Sequence, residues 1–377
     1  MSLLEPPTAV QARTLRKGVV RPMTGADVPA VVRLFLKIFR GADKPADQEL
    51  QHYLCTLALT SPSHDERLGT QVYEQQDGCI RSALLAVPMR FVACGNVLPG
   101  RLLGVFMADA EAAGAAQLIL ALRPRRADFA FCDSASPTSR DHLLAIGGKS
   151  IPVQNLEWVR SFRPVGALVG RLAERFLGGR RFGLAILARP LDGLLRRRLR
   201  VQGAAEPGAA EVAEMPVQDF LVQAPRLVAH YAVRPLWDKE ELSWLVALAA
   251  QNTRLGAFTI HAVVDRTGAV IGSFVYYAAP GRCAHVLNVL SLPGQEQAVL
   301  GAMFRHLDQT GHVEARGRAQ FALMAGLSLQ RWLVFRHRAF AVALTQVPEI
   351  NDAVARGDVY VGGLAGEDWS RLLGDFH

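Results

Sequence analysis

Two hydrophobic periodicities alternate along the chain. At Val28, Val31 and Phe35 apolar side chains recur at helical spacing, which predicts an amphipathic helix. Thr24, followed three residues later by Asp27, has the capping-box pattern that begins such a helix. The chain therefore enters its first helix at about residue 28.

Apolar runs separated by turn residues predict strands. The Asp-Gly pair at 77–78 and the Cys-Gly-Asn sequence at 94–96 mark tight turns between three such runs. In order, the first half is predicted to contain a strand, two helices, three strands, a helix, a strand, a helix and a strand. These lie at 18–23, 28–39, from 47, 70–74, 80–93, 98–108, 115–122, 128–132, from 136, and 153–162.

The same order of elements recurs in the second half. It is predicted at 211–217, 219–229, 238–250, 258–264, 270–278, 284–290, 295–309, 312–316, 319–336 and 339–344. Between the halves lie an arginine-rich segment and a linker rich in Ala, Glu, Gly and Pro. We therefore expect an N-terminal domain at 18–165, a connector at 166–210 and a C-terminal domain at 211–377.

Composition restricts the class of protein. Half of the 377 residues are apolar and 20% are charged, which excludes a largely disordered chain. The five cysteines are scattered without metal-ligand spacing, so neither a disulfide scaffold nor a metal site is expected. The apolar stretch 103–122 contains Asp109 and Glu111, which argue against a membrane span, and no secretory signal is evident. A soluble, cytoplasmic protein is expected.

The positive charge is concentrated in one segment. Residues 171–200 hold nine arginines and two carboxylates, a net +7 of the total +8, which leaves +1 for the other 347 residues. This distribution argues against a specific nucleic-acid binder. Leucines recur at helical spacing in Arg171–Arg200, so the segment either contacts an anionic membrane or polymer or packs as a brace between the domains.

The repeated order of elements resembles the GCN5-related N-acetyltransferase (GNAT) fold. The residues that carry the resemblance are 19–28, 111–116, 144–148 and 263–272. The resemblance implies an α/β (α+β) protein with two tandem domains. Each domain would contain a mixed, mostly antiparallel sheet flanked by helices.

The resemblance also implies a cofactor loop. In the family, backbone N–H groups at a helix N-terminus wrap the pyrophosphate of acetyl-CoA or another acyl-CoA, and small residues allow close approach. The matching loop here consists of Glu111, Ala112, Ala113, Gly114, Ala115 and Ala116. Glu111 replaces the family's Gln or Arg, so close packing of the strand-to-helix turn is the alternative. The second-half loop at 291–298 contains Pro293 and Glu296 and is less suited to CoA.

The implied reaction is attack of an amine on a thioester, which needs a proton acceptor and often an acid. Leu144 stands where the family commonly has a catalytic tyrosine. Candidate catalytic residues are Asp109, which could instead cap a helix, and Asp133; the alternatives are Tyr276, His285, Asn288 and Glu314. Trp369, with Glu367 and Asp368, either covers a pocket or anchors the terminal segment.

Three functions follow from these patterns. The first is an acyl-CoA-dependent N-acyltransferase whose acceptor is an amine on a small molecule or peptide. The second is a non-catalytic pair of GNAT-like domains that binds or assembles. The third is an aminoacyl transferase that resembles the Fem family, which the near-neutral charge outside the connector disfavours.

Overall fold

A computed structural model describes residues 18–41, 47–109, 114–125, 128–163 and 210–376. Its helices are α1 (Val28–Arg40), α2 (Gln48–Leu59), α3 (Gly114–Ala121), α4 (Pro137–Ala145), α5 (Val217–Leu227), α6 (Lys239–Ala250), α7 (Glu296–Gln309), α8 (Met324–Ser328) and α9 (Pro348–Arg356). Short 3₁₀ turns lie at Gly25–Asp27, Phe321–Leu323, Gly363–Ala365 and Arg371–Leu373.

The strands form two mixed sheets. They are β1 (Val19–Pro22), β2 (Gln71–Glu74), β3 (Ile80–Ala93), β4 (Asn96–Ala108), β5 (Phe129–Ala135), β6 (Lys149–Ser150), β7 (Leu156–Ser161), β8 (Glu211–Glu214), β9 (Val233–Pro235), β10 (Ala257–Val264), β11 (Val270–Ala278), β12 (Cys283–Ser291), β13 (Glu314–Arg318), β14 (Leu333–His337) and β15 (Phe340–Thr345). The first sheet has the order β1-β2-β3-β4-β5-β15-β6, and the short β9 pairs with β3. The second has the order β14-β7-β13-β12-β11-β10-β8.

The predicted fold class is confirmed. Within both sheets neighbouring strands are antiparallel, except for the parallel pairs β4–β5 and β12–β13. Helices flank the sheets, and the apolar faces of α1, α2, α5 and α6 enter one shared core. The capping box is present, because the carboxylate of Asp27 accepts the backbone N–H of Thr24 at 2.8 Å.

Each sheet includes strands from the other half of the chain: the second sheet takes β7, and the first sheet takes β15 and the short β9. β7, from the first half, lies between β13 and β14 in the second sheet. β15, from the second half, lies between β5 and β6 in the first sheet. Neither sheet is therefore built from one half of the chain alone, and the division into domains at 165 and 211 stays a prediction.

The predicted helix at 319–336 is wrong for its second part. The chain forms a 3₁₀ turn and the short α8, and residues 333–337 then form β14, which pairs with β7 through Val159 opposite Val334. Because its partner comes from the first half of the chain, local periodicity could not predict this strand. Long-range pairing overrides helical spacing here.

Two predicted features lie outside the described residues. They are the arginine-rich segment Arg171–Arg200 and the first half of the cofactor loop, Glu111 to Ala113. In the ranges that the structure does cover, no helix is long and apolar enough to cross a bilayer.

Helix α3 begins in close contact with β2. A Cβ atom added to Gly114 would lie 2.2 Å from the ring of Tyr73, so only glycine fits at this position without a shift. The Tyr73 ring is buried, and its hydroxyl accepts the backbone N–H of Gly18 at 2.9 Å. Gly114 therefore has a packing role in addition to any role in a cofactor loop.

The strand exchange predicts that a cut chain stays together. A specific protease site at residue 205 would separate the polypeptide into fragments that still share both sheets. We expect the two fragments to co-elute in native buffer and to separate only in denaturant, as measured by size-exclusion chromatography. Fragments that elute apart in native buffer would contradict the exchange.

A matched pair of proline variants tests which pairing holds the fragments. Val159→Pro removes a backbone donor from β7, which is paired on both sides, whereas Val334→Pro removes one from the edge strand β14. We expect Val159→Pro to lower the denaturant concentration at which the fragments separate by more than Val334→Pro does.

The contact of Gly114 with Tyr73 predicts a specific loss of stability. Gly114→Ala should lower the free energy of unfolding by about 1–3 kcal/mol, the usual effect of overpacking, in urea denaturation. Gly25→Ala is the control, because a Cβ atom at Gly25 meets nothing within 4 Å. In a Tyr73→Leu background the Gly114→Ala penalty should shrink; an unchanged penalty would show that the ring is not its cause.

Candidate functional site

Strands β4 and β5 diverge and leave a gap in the first sheet. Their parallel pairing is confined to Gly100, Arg101 and Leu102 on β4, although β4 continues to Ala108 and β5 to Ala135. Beyond Leu102, β4 therefore keeps its neighbour β3 but no longer pairs with β5. The side of β4 that faces β5 has backbone groups there that the sheet does not use.

A cavity of about 180 Å³ occupies this gap. Its lining is mostly apolar and comes from both faces of the sheet, with Phe39 of α1, Leu103 and Phe106 of β4, Ile119 of α3 and Leu143 of α4. Its polar lining consists of Ser134, Ser136, Ser139 and Glu367. Phe39 is exposed, so the cavity opens to the surface at this residue.

Glu367 comes from the C-terminal tail, the segment 357–376 that follows α9, and lies between the diverging strands. Its carboxylate accepts a hydrogen bond from the hydroxyl of Ser134 on β5. On the other side, a Cβ atom added to Gly104 of β4 would lie 3.0 Å from its Oε1 atom. Burial raises the pKa of Glu367 to about 8, and the nearby carboxylates of Asp133 and Asp368 add to the effect.

A buried group of charges fixes the backbone beside Glu367. The Arg318 guanidinium at the end of β13 donates to Asp368 from Nε at 3.3 Å and from Nη2 at 3.0 Å, and lies 3.7 Å from Asp133 on β5. Asp133 in turn accepts the backbone N–H of Glu367 at 3.2 Å. Arg338 also donates to Asp368, at 2.7 Å. The tail is thus fastened to both sheets at this point.

The two aspartates of this group differ in their pKa values. Burial raises the pKa of Asp133, and the positive charge of Arg318 offsets only part of this rise. Burial would also raise the pKa of Asp368, but its direct bonds to Arg318 and Arg338 hold that pKa below the usual range. The structure thus places Asp133, a sequence-predicted candidate, where it binds the tail.

Asp109 follows the last residue of β4 and forms an ion pair. Its carboxylate contacts Nζ of Lys37 at 2.7 Å, and its backbone N–H donates to the carbonyl of Arg81 at 2.9 Å. Asp109 is not one of the described residues that line the cavity. Asp109 thus binds α1 through Lys37, whereas Ser134 and Glu367 line the cavity.

The described part of the predicted cofactor loop forms the first turn of α3. Gly114 is buried against Tyr73, whereas Ala115 is half-buried and Ala116 is exposed. Ile119, one turn further along the same helix, lines the cavity. The N-terminal turn of α3 therefore lies on the helix that forms one wall of the cavity.

The second-half candidates have separate partners. The hydroxyl of Tyr276 contacts Nε2 of His306 on α7 at 3.3 Å, and burial raises the Tyr276 pKa to about 12. Glu314 accepts from the hydroxyl of Ser161 at 3.1 Å. Burial, together with neighbouring arginines, lowers the pKa of His285 to about 4. None of these contacts joins one candidate to another.

In the second sheet the parallel strands β12 and β13 also diverge, and residues of the tail fill the gap between them. β12 and β13 are parallel only up to Val286. Beyond it, the side chain of Asn288 donates to the hydroxyl of Tyr360 at 2.6 Å and accepts the backbone N–H of Leu364 at 2.9 Å. A Cβ atom added to Gly363 would lie 2.3 Å from Nδ2 of Asn288. Asn288, a sequence-predicted candidate, therefore holds the tail in place.

In the second-half loop at 291–298, a backbone N–H group binds a carboxylate from the same loop. The backbone N–H of Gly294 donates to Oε1 of Glu296 at 3.1 Å. A side-chain anion thus occupies a donor at the start of α7 that an external phosphate would need.

Two of the cavity's polar groups had different signals in the sequence. Ser134 had none, because a lone serine at the end of a strand is common. Glu367 stood beside Trp369, whose indole is buried and donates to the carbonyl of Leu364 at 3.2 Å. The tail is therefore anchored, and it also contributes a wall of the cavity. From the sequence, covering a pocket and anchoring the terminal segment were expected as alternatives.

Comparison with solved structures identifies the fold. A conserved Enterococcus faecalis V583 protein, described as a probable N-acyltransferase, is 11% identical, has a TM-score of 0.56, and matches 89% of this chain and 74% of its own. A GCN5-related N-acetyltransferase from Anabaena variabilis ATCC 29413 is 9% identical, with a TM-score of 0.55 and coverage of 87% and 72%. One from Kribbella flavida is 12% identical, with a TM-score of 0.52 and coverage of 87% and 70%.

These matches rest on structure. No protein-family model matches the sequence, and no curated protein sequence matches it. The similarity to solved structures nevertheless spans most of the chain, including both sheets. The chain therefore has the fold of the GCN5-related N-acetyltransferases.

Proposed function

We propose that the protein is an acyl-CoA-dependent N-acyltransferase whose acyl-CoA site is the gap between β4 and β5. The observation that carries the proposal is the cavity in this gap, with an apolar interior and a few polar groups at one side. Sites for small ligands commonly have this composition. The fold of the structural neighbours agrees with this choice.

Two kinds of contact are available to an acyl-CoA, one in the gap and one at the start of α3. Its amide-containing arm can pair with the backbone groups of β4 that β5 leaves unused beyond Leu102. Its pyrophosphate can lie at the N-terminal turn of α3, where helix N–H groups and the positive end of the dipole favour an anion. Ala115 and Ala116 leave room for close approach there.

The cavity has room for the acyl end. Apolar cavities of about 150 Å³ hold a ligand the size of benzene, and this cavity is about 180 Å³. Leu103, Ile119 and Leu143 offer apolar contact, while Ser134 and Glu367 lie at the polar side. We therefore place the reactive carbonyl near Ser134 and Glu367. The acceptor is an amine on a small molecule or a peptide.

A non-catalytic GNAT-like module is the second candidate. Leu144, in place of the family's tyrosine, is partly exposed on α4 and has no proton to donate. A module of this kind would bind acyl-CoA without releasing the thiol when amines are added. Thiol release from acetyl-CoA in the presence of primary amines therefore separates the two candidates.

The position of the pyrophosphate can be tested by charge at α3. Ala116→Glu places a carboxylate in the first turn of α3, where it would repel the pyrophosphate. We expect the Kd for acetyl-CoA to rise about fivefold, equivalent to about 1 kcal/mol, in titration calorimetry at low salt. Ala116→Arg should have the opposite effect, and both effects should shrink at high ionic strength.

The same change on α7 is the matched control. Gln297 is exposed in the first turn of α7, and Gln297→Glu should leave the Kd unchanged. A carboxylate in a first turn stabilises a helix, so weaker binding by Ala116→Glu would not come from loss of α3. Equal weakening by both variants would move the pyrophosphate away from α3. Absence of any binding at millimolar acetyl-CoA would contradict the proposed function.

A further inference from the structure

We propose that Glu367 is the general base that removes a proton from the acceptor amine, an inference that rests on the proposed function. Its carboxylate is the acidic group in the lining of the cavity, and it lies in the gap itself, between Gly104 and Ser134. An acyl thioester bound in the gap would have its carbonyl beside this carboxylate. The residue comes from the tail, more than 230 positions away from Ser134 in sequence.

The ion pairs of the other carboxylates distinguish Glu367 from them. Asp109 is paired with Lys37, and Asp133 and Asp368 share Arg318. For Glu367, the described residues include no lysine or arginine within salt-bridge distance. A carboxylate paired with a cation is a weaker base, because the cation stabilises the ionised form.

The environment of Glu367 suits proton transfer near neutral pH. Its pKa of about 8 is much closer to that of an alkyl ammonium group, about 10, than an ordinary carboxyl is. A base is most effective when its pKa lies near the working pH. Burial therefore makes the ionised form of Glu367 scarcer at pH 7 but more basic.

The reaction conserves atoms and electrons. Glu367 takes one proton from the ammonium group of the acceptor, and the freed lone pair forms the C–N bond at the thioester carbonyl. The C–S bond then breaks, and its electron pair leaves on the sulfur of CoA. The second proton on nitrogen passes to the thiolate, and the proton held by Glu367 returns to solvent. An acyl thioester and a primary amine thus give an amide and a free thiol.

The second sheet positions this base for a site in the first sheet. Arg318 belongs to β13, and it binds Asp368, the neighbour of Glu367 in sequence. Asp133 accepts the backbone N–H of Glu367. We assign Arg318, Asp368 and Asp133 as positioning residues, since none of their charged groups lines the cavity.

Replacement of the carboxylate tests the base. Glu367→Gln resembles the protonated form that prevails at pH 7, so the variant is expected to fold. Thiol release from acetyl-CoA is measured from pH 6 to 10 with a panel of primary amines that includes a polyamine and an unblocked peptide. The parent kcat/KM should rise with pH and level off above about 8. Glu367→Gln should reduce turnover about 100-fold or more and remove that rise, with the Kd for acetyl-CoA unchanged.

A second measurement needs no acceptor. Folding raises the pKa of Glu367 from the ordinary glutamate value of 4.5 to about 8, so the folded state holds an extra proton between these pH values. Stability should therefore fall as pH rises through this window in the parent protein, and less so in Glu367→Gln. Asp375→Asn, a tail carboxylate bound to Arg371, is the control and should keep the parent's pH dependence through this window.

The outcomes separate the two proposals. If acetyl-CoA does not bind, or binds without any amine-dependent thiol release, the proposed function fails and the base with it. If turnover occurs and Glu367→Gln keeps it within a few-fold, the base assignment alone is overturned. The same holds if Asp109→Asn, rather than Glu367→Gln, removes the pH-dependent rise. Equal dependence of stability on pH in the parent and Glu367→Gln would also overturn it.

Discussion

The buried contact of Arg318 with Asp368 and Asp133 joins three parts of the molecule. The arginine comes from the second sheet, one aspartate from the first sheet, and the other from the tail. Removal of one partner from a buried ion pair typically costs about 3–5 kcal/mol, because an uncompensated charge remains. A group of this kind is tolerated only when its geometry is complete. It therefore fixes the two sheets and the tail relative to one another.

The strand exchange produces the same dependence between the halves. β7 is flanked by strands of the second sheet, and β15 by strands of the first. The apolar core that contains α1 and α2 also contains residues of α5, α6 and the tail. Neither half can therefore bury its apolar surface alone. A site in the first sheet can depend on residues from the second half.

In each sheet one pair of parallel strands diverges. The two gaps that result differ in what occupies them. In the second sheet Leu364 and Gly363 pack against Asn288, and Glu296 caps the loop before α7. In the first sheet the same tail leaves a cavity and contributes only Glu367 to it. A duplicated fold thus has one open gap and one filled gap. The tail, which lies outside the repeated pattern, causes the difference.

Much of this protein followed from its sequence, because local rules govern short elements. The capping residues Thr24 and Asp27, the strand at Ile80–Ala93 and the order of elements from β1 to α4 are as predicted. The order predicted from the sequence resembled the GNAT fold, and comparison with solved structures confirmed that resemblance. Tertiary structure alone decided the pairing of β7 and β15, the strand at Leu333–His337, and the position of Glu367. Each depends on contacts between residues far apart in the chain, and such contacts leave no periodicity in the sequence around them.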